Sequence, residues 1–211
     1  MLSNNINFKN FNHKINNKNI KKHLKNILSE GSEILKSLTR AYQYQYSKTL
    51  VTKIKKEKIL KIIGIGGSIL GTKAIHDFLK HKIKKKTIFY DSLDSNIENK
   101  IKGTNIIISK SGNTLETIAN VNILIKQNEK NIFITESKNS YLRSLALTLK
   151  AEIINHNNFI GGRYSVMSEV GMLPAELMGL NESKFKQLNN LIKNRNFINL
   201  LVSNVSSTLF F

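Results

Sequence analysis

The run Ile59-Leu60-Lys61-Ile62-Ile63-Gly64-Ile65-Gly66-Gly67-Ser68 decides the fold. Its apolar residues are nearly continuous rather than alternating, and glycines close it abruptly. A short apolar run of this kind predicts a strand buried on both faces, as in a parallel sheet. A helix is expected from Ser68 to His81. The same unit then recurs outward along the chain. Thr87–Tyr90 reads as a short strand, with Asp91 and Asp94 at turn positions. Asn105–Ile108 reads as a strand ending at Ser109-Lys110-Ser111-Gly112, with a helix from Asn113 to about Lys126. Asn131–Thr135 is a strand, a helix lies near Ser140–Lys150, and Glu152–Ile154 is a fifth strand. Short apolar strands alternating with longer helices indicate an α/β fold. We expect a three-layer αβα architecture on a five-stranded parallel sheet. Ligands of such sheets bind beyond the carboxyl ends of the strands, so the Gly- and Ser-rich loops share one rim.

The flanks read differently. Ile20, Leu24, Ile27, Leu28, Ile34, Leu35, Leu38 and Tyr42 follow helical spacing, which predicts one long helix or two short ones broken at Gly31. This is a helical N-terminal extension behind a polar, Asn-rich arm. After the fifth strand, Phe159–Ser165 reads as a loop and Met167–Met178 as a helix. Pro174, the sole proline, is expected to kink or break that helix. A last helix is expected over Glu182–Lys193. Phe197–Phe211 is apolar, interrupted by Asn199, Asn204, Ser206 and Ser207, and receives no assignment.

The chain has 211 residues, 40% of them hydrophobic and 22% charged, the balance of a globular protein. It has no cysteine, which excludes disulfides, thiolate metal sites and thiol catalysis. The net charge of +19 invites a nucleic-acid reading. The composition argues against it: Lys is 29, Ile 29 and Asn 28, while Arg is only 4. Nucleic-acid binders lean on the planar guanidinium, whereas joint enrichment in Lys, Ile and Asn marks a drift across the whole chain. No window approaches the roughly 18–20 apolar residues of a membrane span. The N-terminus lacks the apolar core of a secretory signal, so a cytoplasmic location is expected.

Three loops carry chemistry. The first is Gly64-Ile65-Gly66-Gly67-Ser68-Ile69-Leu70-Gly71. Its small residues permit close backbone approach, and the following helix offers amides and a positive dipole end to an anion. It lacks the third-glycine spacing of a dinucleotide fingerprint and the Gly-Lys-Ser/Thr ending of a P-loop. A plain tight turn is the competing reading. The second is Ser109-Lys110-Ser111-Gly112-Asn113-Thr114-Leu115-Glu116-Thr117. Hydroxyls, a lysine and free amides converge there at a helix start, which suits a phosphate, against a simple helix cap. The third is Gly161-Gly162-Arg163-Tyr164-Ser165. Its arginine either clamps an anion or a developing oxyanion, or is an ordinary surface residue.

Taken together, GIGGSILG at 64–71, SKSGNTLET at 109–117 and GGRYSVMSEVG at 161–171 resemble the N-terminal half of glucose-6-phosphate isomerases. The middle motif alone is similar to sugar-isomerase (SIS) domains in general, and the glycine-arginine motif narrows the resemblance. It covers about residues 20–190. It implies a SIS-type, flavodoxin-like sheet. It also implies interconversion of glucose 6-phosphate and fructose 6-phosphate through an enediol, without metal or organic cofactor. Carried over by position, Ser109, Ser111 and Thr114 would bind the sugar phosphate through hydroxyls. Lys110 would contribute its backbone amide and local charge, and Gly67 and Ser68 would line the same pocket. Arg163 would stabilise the enediolate. Asn113 departs from the Thr or Ser usual in the family.

The resemblance implies as much chain again, holding a second SIS domain, the glutamate base, and the histidine and lysine of ring opening. Glu176 and Glu182 do not match the base's motif, and His13, His23, His76, His81 and His156 match no catalytic position. These 211 residues are therefore expected to lack turnover, and the apolar end, Leu200–Phe211, to pack on something absent. The expected organisation is a polar arm over 1–18, a helical extension over 19–57, the sugar-phosphate domain over 58–180 and a C-terminal segment over 181–211. The expected partner is a sugar phosphate, with a homodimer in the full-length form and no specific nucleic acid or membrane. A non-catalytic SIS-type sugar-phosphate-binding module is the alternative function.

Overall fold

The computed structural model describes residues 17–94, 101–186 and 194–209. Strands β1 (Ile59–Ile63), β2 (Lys86–Tyr90), β3 (Thr104–Ile108), β4 (Asn131–Thr135) and β5 (Glu152–Asn155) form one sheet. All pairs are parallel and the order is β2-β1-β3-β4-β5. The expected five-stranded parallel sheet is present, each strand close to its expected span. The chain leaves β1 outward to β2, then returns across β1 to β3 and continues the other way. The direction of winding therefore reverses between β1 and β3, and in sheets of this kind ligands bind beyond the carboxyl ends at such a reversal.

Helices α4 (Leu70–Phe78), α5 (Leu115–Leu124) and α6 (Tyr141–Thr148) make crossovers, with α3 (Lys48–Lys55) before β1 and α7 (Glu169–Leu177) after β5. Because parallel crossovers are right-handed, the reversal sends α4 to one face and α5 and α6 to the other. On the α5–α6 face Ile63, Ile107, Val121, Leu124, Phe133, Leu142 and Ala146 form one buried cluster. Strand alternation turns Leu60, Ile62, Ile106, Ile132 and Ile134, all buried, to the opposite face. There α4 and α3 both pack on α7.

One polar row crosses this core. Lys61, Asn105 and Asn131 sit side by side in register on β1, β3 and β4. Lys61 Nζ donates to Glu129 Oε2 at 2.8 Å, Asn105 Nδ2 donates to the same oxygen at 2.9 Å, and Asn105 Nδ2 also reaches Asn131 Oδ1 at 2.7 Å.

The helix α7 has no exposed residue. Pro174 lies inside it, and of the expected kink or break the break does not occur. Proline removes the N–H that would reach the carbonyl four residues earlier, Val170. The buried Thr72 hydroxyl of α4 donates to that carbonyl instead, at 3.1 Å.

Other departures have equally local causes. The helix expected over 68–81 is shorter: Gly66–Ser68 is a 3₁₀ turn, α4 ends at Phe78, and Lys80–Lys82 forms a second 3₁₀ turn. Helix α3 lies where lysines dominate the sequence, yet Leu50, Val51 and Ile54 on one side are buried. Of the helix expected over 182–193, residues 182–186 form a 3₁₀ stretch and 187–193 lie outside the described residues. The polar arm lies outside them except for its last two positions.

The chain divides into two compact units, 43–182 with the sheet, and 1–42 with 183–211. The second contains α1 (Lys18–Glu30), α2 (Glu33–Ser37) and α8 (Arg195–Leu209). Gly31 ends α1 in the left-handed conformation, φ 59°, which explains the expected break. In this unit α1 packs on α8, and Lys21 Nζ donates to Asn199 Oδ1 at 3.3 Å. The tail residues Leu200 and Val202 are buried, while Leu201, Val205 and Leu209 are exposed.

In the sheet unit, the Tyr44 and Tyr46 rings stack with centroids 5.1 Å apart. Burial raises both phenol pKa values above the ordinary range; Glu182 adds to this at Tyr44 and Glu176 at Tyr46. A phenol whose folded pKa is raised contributes stability that is fully present below its unfolded pKa, about 10, and is lost as pH climbs above it. In an ultraviolet titration of the six tyrosines, Tyr44 and Tyr46 should ionise only as the protein unfolds. Replacing both by Phe should remove that late fraction; its persistence would assign it elsewhere.

Candidate functional site

The rim beyond the carboxyl ends of β1 and β3 is built from glycines that let loops touch. Gly64 closes β1, and its amide donates to Tyr90 O at 3.2 Å. A Cβ there would stand 2.8 Å from Ile108 O, so the first loop lies directly against the end of β3. Gly67 meets the third loop: its Cβ would be 2.5 Å from the carbonyl carbon and oxygen of Gly162. These two residues lie far apart in sequence and meet backbone to backbone. The Ser165 hydroxyl lies 2.8 Å from Gly162 O and 3.1 Å from Gly67 O, stitching the two loops together. Ser165 belongs to the third motif, but the sequence reading gives it no role. Ser68 closes the 3₁₀ turn of the first loop and is half-buried.

The second loop turns on Gly112, whose φ of 65° is left-handed. Its amide donates to Ser109 O at 3.1 Å, and its carbonyl accepts from Leu142 N at 3.0 Å. The Ser109 and Thr114 hydroxyls lie 3.1 Å apart. Thr114 stands at the N-cap position of α5, yet its side chain caps no amide. The competing reading has a Ser or Asn cap with Thr114 and Thr117 exposed; the N-cap position falls to Thr114 instead, and Thr117 is buried. The first amides of a helix have no internal acceptor, and here the N-cap side chain leaves them open beside two hydroxyls. The Ser111 side chain accepts from Asn113 N at 3.2 Å and is exposed. Asn113 Oδ1 accepts from Tyr141 N at 2.9 Å, so its departure from the family residue has a structural use.

Lys110 points its charge sideways. Its Nζ donates to Asn158 O at 2.6 Å and lies 3.3 Å from Glu136 Oε1. Its carbonyl accepts from Glu136 N at 3.0 Å and from the Thr135 hydroxyl at 3.2 Å. These anchors, Thr135 at the end of β4, Glu136 just after it and Asn158 after β5, have no role in the sequence reading. Their signal was available in principle, since loops after neighbouring strands share a rim.

Arg163 is exposed in a 3₁₀ stretch over Gly162–Met167 and has no hydrogen-bond or charge partner among the described residues. Gly162, beside it, touches the first loop, so the third loop joins the first. Asp91, after β2, is bound by Lys73 Nζ at 2.6 Å. That hydrogen bond is the main reason the Lys73 ammonium is held above its usual pKa. Asp91 is thus engaged within the protein. Glu176 and Glu182 both accept from Lys48, the second at 2.9 Å.

The comparisons agree with these motifs. The phosphoglucose isomerase family profile matches residues 11–199. Glucose-6-phosphate isomerase of Borrelia garinii subsp. bavariensis is 35% identical over 171 residues, covering 66% of this chain and 32% of that protein. The enzyme of Mycoplasmoides gallisepticum is 35% identical over 146 residues, covering 60% of this chain and 34% of that protein. The matches thus span 32–34% of these relatives' length. Two solved structures share the fold. A hypothetical protein from Thermus thermophilus has a TM-score of 0.65 at 18% identity, covering 89% of this chain and 50% of that one. An Escherichia coli protein solved as a ligand complex has a TM-score of 0.54 at 17% identity, covering 89% of this chain and 99% of that one. The chain belongs to the phosphoglucose isomerase family.

Proposed function

We propose that the hydroxyl-lined turn Ser109-Lys110-Ser111-Gly112-Asn113-Thr114 receives the phosphate of a sugar phosphate. The sugar then extends toward Gly67, Ser68 and Arg163. The observation that carries this reading is the open N-terminus of α5, beside the Ser109–Thr114 hydroxyl pair, at the reversal of the sheet. A dianion there gains helix-end amides, the dipole field and several hydroxyl donors at once. Lys110 adds charge at short range, moderated by Glu136. Arg163, exposed and without a partner among the described residues, is the cation proposed to face an oxyanion. In the whole protein the reaction is the interconversion of glucose 6-phosphate and fructose 6-phosphate, in which a guanidinium stabilises the enediolate oxygen. Glu176 and Glu182 are held by Lys48, so neither is assigned as the base. Proton transfer is worth about 10²–10⁴-fold, and these 211 residues alone should show negligible turnover. A homodimeric, cytoplasmic enzyme is the setting proposed for the full-length form.

Titration calorimetry with 6-phosphogluconate tests the site. Each hydroxyl donating to a charged oxygen contributes about 1.5–3 kcal/mol. Ser111→Ala with Thr114→Ala should therefore weaken binding by about 100-fold or more. Unchanged affinity in the double variant, or no heat and no thermal shift with the unsubstituted chain, would refute the assignment.

A further inference from the structure

Directly behind the arginine loop lies a buried histidine that the proposed site leaves unused. His156 follows β5, and its amide donates to Thr135 O at 2.9 Å, fixing the main chain to the end of β4. The ring Nε2 lies 3.2 Å from Ile160 O. A carbonyl oxygen only accepts, so Nε2 carries the hydrogen of this contact. The other ring nitrogen, Nδ1, lies 3.7 Å from Glu169 Oε2 and makes no hydrogen bond. Glu169 is the first residue of α7 and is fully buried, and its Oε1 accepts from Gln45 N at 3.1 Å. The imidazole thus spans the two ends of one segment. Ile160 is the last residue before Gly161-Gly162-Arg163, and Glu169 opens the helix that follows.

An apolar side chain would fill this space without desolvating an imidazole and a carboxylate. Two glycines leave the backbone of the loop with little intrinsic preference. Its course is therefore set by what grips it, in the middle the contact of Gly162 and Ser165 with Gly67, and beyond that its two ends. One end is held by the Ile160 side chain, which is buried, and by its carbonyl, which His156 engages. The other is held at Glu169.

We propose that His156 is a positioning residue for Arg163: by engaging Ile160 O and facing Glu169, it sets the direction in which the Gly161–Ser165 turn leaves the core. The proposal rests on the sugar-phosphate reading for its functional consequence, but its structural content is separate.

Two readouts keep them apart. In the free protein, His156→Phe should speed hydrogen exchange at Tyr164 N, which bonds Gly161 O at 2.9 Å. The Gly112 amide of the second loop should be unaffected. His156→Gln, which retains a donor for Ile160 O, should restore protection at Tyr164. For binding, 6-phosphogluconate affinity is measured in a double-mutant cycle with Arg163→Ala. His156→Phe should weaken binding about tenfold in the unsubstituted chain and have almost no effect once Arg163 is removed. Its effect should add normally to that of Thr114→Ala. Unaltered exchange at Tyr164, or losses that add with Arg163→Ala, would overturn the proposal. Should the unsubstituted chain not bind 6-phosphogluconate, the sugar-phosphate reading fails while the exchange data still decide the bracket. If His156→Phe does not fold, Glu169→Gln is subjected to the same exchange measurement and the same cycle, with the same expectations.

Discussion

Gly112→Ala is expected to cost about 2–5 kcal/mol of stability and to remove most sugar-phosphate affinity in whatever remains folded. The left-handed backbone at φ 65° penalises any Cβ by about 1–2 kcal/mol. The added carbon also has nowhere to go. It would stand 2.1 Å from Ser140 Oγ, 2.7 Å from Ser140 Cβ and 2.9 Å from Thr135 Oγ1. Ser140 cannot simply swing away, because its hydroxyl caps α6 through Arg143 N. Overpacking of this kind costs a further 1–3 kcal/mol or so. Both neighbours belong to the frame that holds the proposed phosphate turn, so relief of the clash displaces Ser111 and Thr114. Urea denaturation and calorimetry with 6-phosphogluconate measure the two effects. A variant with unchanged midpoint and affinity would show that the turn is not the rigid cradle described.

Lys61→Met should be as damaging, at the other end of the sheet. Lys61 is fully buried and its ammonium neutralises a carboxylate that is almost as inaccessible. Removing one partner of a buried pair strands the other, at a cost of about 3–5 kcal/mol. Asn105 alone would then face Glu129 Oε2. Adding Glu129→Gln should recover most of the loss, since the stranded charge disappears. Denaturant midpoints of the single and double variants decide the matter. Equal destabilisation in both would mean that packing, rather than the uncompensated charge, carries the effect. Sugar-phosphate affinity of the folded fraction should be unaltered in both, because Lys61 sits in the sheet and the proposed site lies beyond the strand ends.

Much of this architecture was legible because β-strands and rim loops announce themselves locally. A short apolar run is a local signal, and five of them alternating with helical stretches were enough for the sheet. What was illegible depends on distant partners. Pro174 disrupts a helix on local rules, and the Thr72 hydroxyl that takes up Val170 O comes from a distant element. Residues 197–211 look like an interrupted apolar tail. In α8 the hydroxyls bond backward within the helix, Ser206 Oγ to Val202 O at 2.7 Å and Ser207 Oγ to Ser203 O at 2.9 Å. Polar side chains satisfied in this way need not end a helix. Helix α3 was hidden by its lysines, whose number reflects the drift of the whole chain. At the site, hydroxyls and glycines could be nominated from sequence. The contact of Gly67 with Gly162 could not, because no local pattern encodes which two turns will touch.

The wholly buried α7 has a consequence for how the arginine is aimed. Most surface turns are tethered to elements with one wet side, which can shift a little at small cost. Here the turn springs from the head of a rod enclosed on every side, and close-packed interiors yield very little. The turn that carries the guanidinium is therefore rooted in a rod that resists displacement, and substitutions inside that rod should be felt at the loop.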